Sequence, residues 1–244
     1  MILAEIWRHP IKSHGREAVD AFDIAPGSTI PFDRLWAVAH EAAKLDGSGW
    51  VACANFSRGA KTPALMAITA RMDEDLVTLS HPDRPDLTFD PDDDNRVFLD
   101  WIAPLTDPSR AAPSGIVRAD ARGFTDTPFP SISLGNPVSH RAVEQKAGRS
   151  LSRHRWRANL WVDGLAPWEE FDLVGRDIAL GTATFRIEER ITRCRATMAN
   201  PDTGRIDADT LGALEEGWGH RDFGIYLACT APGRVAVGDT VTLQ

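Results

Sequence analysis

Residues 64–80 read ALMAITARMDEDLVTLS. Two apolar-rich runs, 64–72 and 76–80, flank the acidic triplet Asp73-Glu74-Asp75. That pattern predicts a β-hairpin. Runs of the same kind lie on both sides of it. Upstream are residues 1–7 and 34–40. Downstream are 160–162, 178–180, 183–188, 226–230 and 240–243. Short strands at this spacing predict a mainly β protein, a barrel or sandwich. A few helices interrupt them. Residues 97–102 read as a short helix. Residues 136–151 read as the clearest one, with Asn136 as cap, Pro137 in the first turn and Gly148 as terminator. Residues 209–216 read as another. The Pro- and Asp-rich residues 81–96 read as a solvated loop around a short strand, because the ordered ligand spacing of a calcium loop is missing. Residues 103–115, with three prolines and a glycine, mark the expected boundary between an N-terminal unit, 1–110, and a C-terminal unit, 111–244.

The chain has 244 residues, enough for one or two domains at roughly 150 residues each. Its formal net charge of −8 argues against DNA or RNA as the main partner. No apolar run reaches the ~20 residues of a membrane helix, and no secretory leader is legible at the start. Three dispersed cysteines, Cys53, Cys194 and Cys229, form neither a disulfide framework nor a Cys-x-x-Cys metal pair. The expectation is a cytoplasmic protein without membrane or nucleic-acid partners.

Three clusters carry candidate chemistry. Cys194 has three arginines within four residues, Arg190, Arg193 and Arg195. Positive charge favours the thiolate, the form that attacks electrophiles and binds metals. The turn sequence Asn200-Pro201-Asp202-Thr203-Gly204 follows, so the thiol is expected at a strand end facing a loop. A half-buried structural cysteine beside solvated arginines is the plainer alternative. Lys12 and Ser13, with Asp33-Arg34, supply a point charge, a hydroxyl and a bidentate fork suited to phosphate. Their spacing is not that of a P-loop. The third cluster, residues 152–159, holds three arginines and ends at Arg157 and Asn159, as an anion site or an ion-paired surface. No zinc helix, hydrolase elbow or dinucleotide fingerprint is found.

Taken in order, these pieces resemble the MOSC family of molybdenum-cofactor proteins. The likeness is to members with an N-terminal MOSC-associated β-barrel, such as the mitochondrial amidoxime-reducing components and their bacterial relatives. The pieces are His9-Pro10-Ile11-Lys12-Ser13, Asp33-Arg34-Leu35-Trp36, Arg157-Ala158-Asn159 running to Asp163-Gly164, and Arg193-Cys194 running to Gly204. Phe223-Gly224-Ile225-Tyr226 and Val235-Ala236-Val237-Gly238-Asp239-Thr240-Val241 complete the set. The match spans nearly the whole chain. It implies an N-terminal β-barrel module followed by a MOSC β-barrel, which together bind a molybdenum-molybdopterin cofactor.

Carried over position by position, the resemblance implies that Cys194 gives its thiolate to molybdenum. Lys12, Ser13 and Arg34 would hold the cofactor phosphate. Arg157 and Asn159 would contact pterin or phosphate, and Thr192, Arg193 and Tyr226 would line the pocket. Residues 125–127 would fall near a cofactor-lining turn. The activity implied is an oxidoreductase that reduces N-hydroxylated small molecules with electrons from a separate donor protein. A sulfur carrier or sulfurtransferase with a Cys194 persulfide is the alternative, as is a non-catalytic cofactor-binding module. Three departures stand out. His9 replaces an aromatic tyrosine, Asn200 replaces an aspartate, and residues 52–63 are a loose version of the family's Thr-x-Arg-x-x-Pro segment.

Overall fold

The apolar start of the chain becomes β1 (Ile2–Arg8), with Leu3 and Ile6 buried. The structure, a computed structural model, describes residues 1–47, 50–93 and 95–244. Residue 94 of the Pro- and Asp-rich stretch thus lies outside the described residues. After β1 come β2 (Glu17–Val19), β3 (Ala21–Ile24) and β4 (Trp36–His40). The expected hairpin forms from β5 (Thr69–Asp73) and β6 (Leu76–His81), with Asp73 opposite Leu76. Its two-residue loop puts Glu74 at φ 54°, as short hairpin loops require. The first part of the expected strand is instead a 3-10 turn, Pro63–Ala67. Leu65, Met66 and Ala67 are buried in succession. A strand with one solvated face cannot bury three neighbours in a row, whereas a turn led by proline can.

The loop-and-strand reading of residues 81–96 resolves into β7 (Arg84–Phe89), the third strand of that sheet. Helix α1 (Arg96–Ile102) then buries Phe98, Trp101 and Ile102 in the same apolar cluster as Val77, Leu79 and Phe89. Strand β8 (Pro113–Arg118) returns to pair antiparallel with β4.

The remaining elements are β9 (Ile132–Gly135), α2 (Pro137–Ala147), β10 (Leu160–Asp163), β11 (Asp177–Leu180), β12 (Ala183–Thr192), α3 (Thr210–Trp218), β13 (Asp222–Ala231), β14 (Gly233–Ala236) and β15 (Val241–Leu243). Helix α2 starts and stops as its sequence predicts. Asn136 accepts the Val138 N–H, and Gly148 ends the helix at φ 65°. The main sheet runs β15-β11-β12-β13-β9-β10-β1-β2. It curls, because β1 also meets the far end of the chain. Leu3 N–H donates to Asp239 O at 2.9 Å, and Val241 N–H donates to Met1 O at 2.9 Å. Closing the sheet this way satisfies edge groups that would otherwise be bare. Early and late strands interleave, since β1 joins the main sheet and β3 pairs with β14. The protein is mainly β with three short α-helices among the described residues. None of those helices is long and apolar enough to cross a membrane.

Candidate functional site

Two early segments are tied together by backbone hydrogen bonds. Lys12 N–H donates to Trp36 O (2.7 Å), Arg34 N–H to His9 O (2.8 Å), and Trp36 N–H to Pro10 O (3.2 Å). This brings Lys12, Ser13 and Arg34 side by side, far apart as they are in sequence. A third segment locks onto them at Gly123. Its φ is +63°, and a Cβ there would come 2.6 Å from Asp33 O. Phe124 N–H then donates to Arg34 O at 2.8 Å.

The later part of the chain supplies the facing wall. A 3-10 turn, Arg153–Trp156, ends at Arg157 in the left-handed conformation, φ 49°. Strand β12 ends at Thr192, so Arg193 and Cys194 leave the sheet at its rim. Cys194 is exposed. Together these residues line one cavity of about 290 Å³, with Tyr226 from β13. Ser13 (φ 65°), Arg34 (φ 53°) and Arg157 all sit in the left-handed region, which is strained for non-glycine residues and recurs at ligand sites.

Charge is unbalanced here. Arg34 is paired with enclosed Asp33, which also accepts the His9 N–H at 2.7 Å. Burial works against Arg34, but Asp33, with Asp126 and Tyr226, more than reverses this and raises its pKa. Arg157 donates to Gly15 O (3.1 Å), and Arg193 to Phe223 O and Trp156 O (2.8 Å each). Neither has a carboxylate within ion-pair distance among the described residues. Burial lowers the Arg157 pKa to about 9 and that of Arg193 to about 10. The Arg193 Nη2 is buried with no partner. Tyr226 is pushed up to about 12, by burial first and then by Asp126, so it stays a neutral phenol. The cavity therefore offers strong donors and surplus positive charge, the conditions that hold an anion.

Of the expected site residues, Lys12, Ser13, Arg34, Arg157, Thr192, Arg193, Cys194 and Tyr226 line the cavity. Asn159 is not among the lining residues. Its Nδ2 donates to Trp7 O (3.0 Å), and its Oδ1 accepts from Ser133 N, Ser133 Oγ and Arg34 Nη1. The side chain holds Arg34 and ties β9 to β1. Thr192 Oγ1 is engaged by Asp222 at 2.6 Å. Asn200 makes the expected turn and adds a reason for its identity. Its amide donates to Asp207 at 2.9 Å, where an aspartate would oppose a second carboxylate. Arg153 and Arg155 are paired with Glu5 and Asp207, a structural outcome for that part of the third cluster.

Several lining residues carried little sequence signal. Cys53 and Arg58 come from the loose segment 52–63, with Arg58 Nη1 donating to the Cys53 sulfur at 3.5 Å. Asp126 lies in the stretch 125–127 flagged by the resemblance. It, and neither flanking threonine, reaches the cavity, where it pairs with Lys12 at 2.5 Å.

Enclosed His14 gives the site a pH signature. Its Nδ1 lies 2.7 Å from Lys12 O, so that nitrogen carries the proton, and buried Nε2 has no partner. Burial lowers its pKa from 6.5 to about 4. His9 is shifted the same way, again chiefly by burial. The unfolded chain therefore takes up protons that the folded chain refuses. Stability should fall as pH drops from about 6.5 towards 4, and His14→Gln should flatten that slope, read from thermal melts across this window. A His14→Gln slope equal to wild type would exclude His14 as its source.

Fold and cavity define a mainly β protein whose early and late strands interleave, with a cation-lined cavity that bears a cysteine. Residues 129–242 match the MOSC domain, and residues 1–101 match the MOSC N-terminal beta barrel domain. The chain belongs to the MOSC family. It is 30% identical to a molybdenum cofactor sulfurase of Drosophila willistoni over 105 residues. That region is 39% of this chain and 13% of the sulfurase, so the chain spans a small part of that relative's length. Among solved structures it is similar to the YuaD protein from Bacillus subtilis (TM-score 0.47, 14% identity, 98% of this chain and 93% of that one). It is also similar to YiiM from Geobacillus stearothermophilus (TM-score 0.36, 18% identity, 46% and 53%).

Proposed function

We propose that this chain is a molybdenum-cofactor-binding oxidoreductase that reduces N-hydroxylated compounds with electrons from a separate donor protein. The observation that carries the cofactor reading is the convergence on one cavity of Arg157 and Arg193, both without carboxylate partners, beside the exposed Cys194. The choice of amidoximes, hydroxylamines and N-hydroxylated bases rests on the motif resemblance.

The residues fit such a group. Arg193 Nη2 is a buried donor still lacking an acceptor, as the arrival of an anionic ligand requires. Among the described residues, no group of three or more His, Cys, Asp and Glu gathers to hold a bare metal ion. A metal here would arrive in a cofactor that brings its other ligands, with Cys194 as the protein's contribution. Lys12, Ser13, Arg34 and Arg157 would hold the phosphate. When bound, the cofactor's molybdenum supplies the two-electron redox chemistry that converts an N-hydroxyl group to N–H and water. The chain orients the cofactor, and Tyr226 keeps a neutral hydroxyl at the cavity wall.

The test is purification from a molybdate-fed host that makes the cofactor, with molybdenum and released pterin counted per chain and amidoxime reduction assayed with a chemical reductant. Near-stoichiometric metal and pterin with turnover is expected. Bound cofactor without turnover would leave a binding module, and neither metal nor pterin would overturn the reading. A second reading, sulfur transfer through a Cys194 persulfide, is favoured by the exposed thiol and the likeness to a molybdenum cofactor sulfurase. It requires an intact mass raised by one sulfur atom, lost in Cys194→Ala.

A further inference from the structure

Asp126 is held unlike any other charge in the cavity. Its neighbours are pinned on both sides. Thr125 Oγ1 donates to Phe129 O at 3.0 Å, and Thr125 O accepts from Trp50 Nε1 at 2.9 Å. Thr127 Oγ1 donates to Phe129 O (2.6 Å) and lies 2.9 Å from Ser131 Oγ, which can donate to it, while Thr127 O accepts from Arg122 Nη2 (2.9 Å). The Asp126 carboxylate itself bonds to Lys12 Nζ, at 2.5 Å. That pair is lopsided. The Asp126 side chain is 55% exposed and that of Lys12 only 6%. Lys12 is also fixed by donation to Phe124 O at 2.7 Å. Asp126 can turn into water on a rigid backbone at small cost, whereas Lys12 cannot leave and must keep a counter-charge.

The carboxylate behind the cavity wall is different. Asp33 is fully enclosed and bonded to His9 and Arg34. Asp126 is therefore the releasable negative charge among the described residues of the cavity, and its release would leave Lys12, Arg157 and Arg193 all without a carboxylate. A monoanion that took its place would exchange one charge for one and gain nothing. A dianion would bring a second charge to guanidiniums that have none.

We propose that Asp126 is an internal competitor that sets the charge threshold of the cavity: it holds Lys12 until a phosphate monoester dianion displaces it, and so excludes monoanions such as sulfonates and phosphodiesters. The inference rests on the cavity being the anion site argued above. It adds a device of specificity by competition, in which a built-in unfavourable exchange rejects the wrong ligand.

The test uses the full chain without cofactor and titrates phenyl phosphate and benzenesulfonate calorimetrically, at about pH 8, where the monoester is a dianion. Wild type is expected to bind phenyl phosphate and to show no measurable sulfonate binding. Asp126→Asn, a substitution at an exposed side chain, should bind phenyl phosphate about tenfold more tightly and make sulfonate binding measurable, because the competing charge is gone. A crystal structure of wild type with phenyl phosphate should show the Asp126 carboxylate turned away from Lys12. Unchanged or weaker binding in Asp126→Asn, or a complex that retains the Lys12–Asp126 pair, overturns the proposal while leaving the anion site intact. Failure of both proteins to bind either compound overturns the anion site as well.

Discussion

Cys194→Ser is expected to lower molybdenum retention and N-hydroxylate reduction together, by at least about a hundredfold for the reaction, since even outer-shell changes at metal sites reach that size. A serine hydroxyl is a poor ligand for a soft metal centre where a thiolate is a good one. The fold has little stake in the sulfur. Cys194 is exposed, and its structural contribution is its carbonyl, which accepts from Thr197 N at 3.2 Å and Thr197 Oγ1 at 3.0 Å. Serine keeps that carbonyl. The change should fall within the ~0.5 kcal/mol usual for surface sites, or about 2 °C in thermal midpoint for a chain of this size. Metal analysis, turnover and a melt on the same preparation separate the two roles. Full activity and metal content in the variant would exclude Cys194 as ligand.

What the sequence disclosed follows from where its signals are local. Lys12, Arg34, Arg157 and Cys194 are legible because their side-chain chemistry matches the ligand they are expected to meet, and α2 because its cap, proline and terminator lie within one helix length. Strands β1, β4, β6, β10, β11, β12, β13 and β15 were legible from their apolar runs, but β2, β3, β8, β9 and β14 were not, nor was the partnership of β8 with β4 or of β1 with the distant β10. Such pairings depend on long-range register, which no local pattern encodes. The 3-10 turn at Pro63–Ala67 was hidden because buried neighbours in a turn look like an apolar strand. Asn159 shows the reverse case. Residue type and motif point it towards the ligand, whereas in the structure its oxygen accepts from Ser133 and Arg34 and its amide donates to Trp7 O. Asp126 gave no signal of its own, because an aspartate in a loop is ordinary until its ion-pair partner proves to be a buried lysine. Nor do the identities of Ser13, Arg34 and Arg157 announce left-handed backbone. That conformation is imposed by the contacts around them.

Asp33→Ala should show how much the fold depends on one of those contacts, with a loss of about 3–5 kcal/mol, the usual cost of removing one partner from a buried ion pair. The carboxylate is enclosed and receives the Arg34 guanidinium and the His9 N–H, with the His9 ring at 3.3 Å. Alanine would leave Arg34 facing Arg157 without its ion-pair partner and the His9 amide without an acceptor. Burial alone would raise the Asp33 pKa. Arg34 and His9 outweigh it and hold the carboxyl well below the ordinary 3.8. A depressed folded pKa contributes stability that is complete above the unfolded value and is lost only as pH falls through the folded one. The Asp33→Ala deficit should therefore be nearly constant from about pH 8 to 5 and shrink only in stronger acid. Urea unfolding followed by tryptophan fluorescence would measure it, with an unchanged denaturant slope if both proteins unfold from the same native state. A loss under about 1 kcal/mol would mean that water reaches Arg34 and that the pair is not a desolvated one. Phosphate monoester binding should drop in the same variant, because the backbone at Arg34 would lose the side-chain anchor beside it. A stable variant that binds the anion normally would instead assign the left-handed turn to the backbone bonds of residues 9–12 and 34–36 alone.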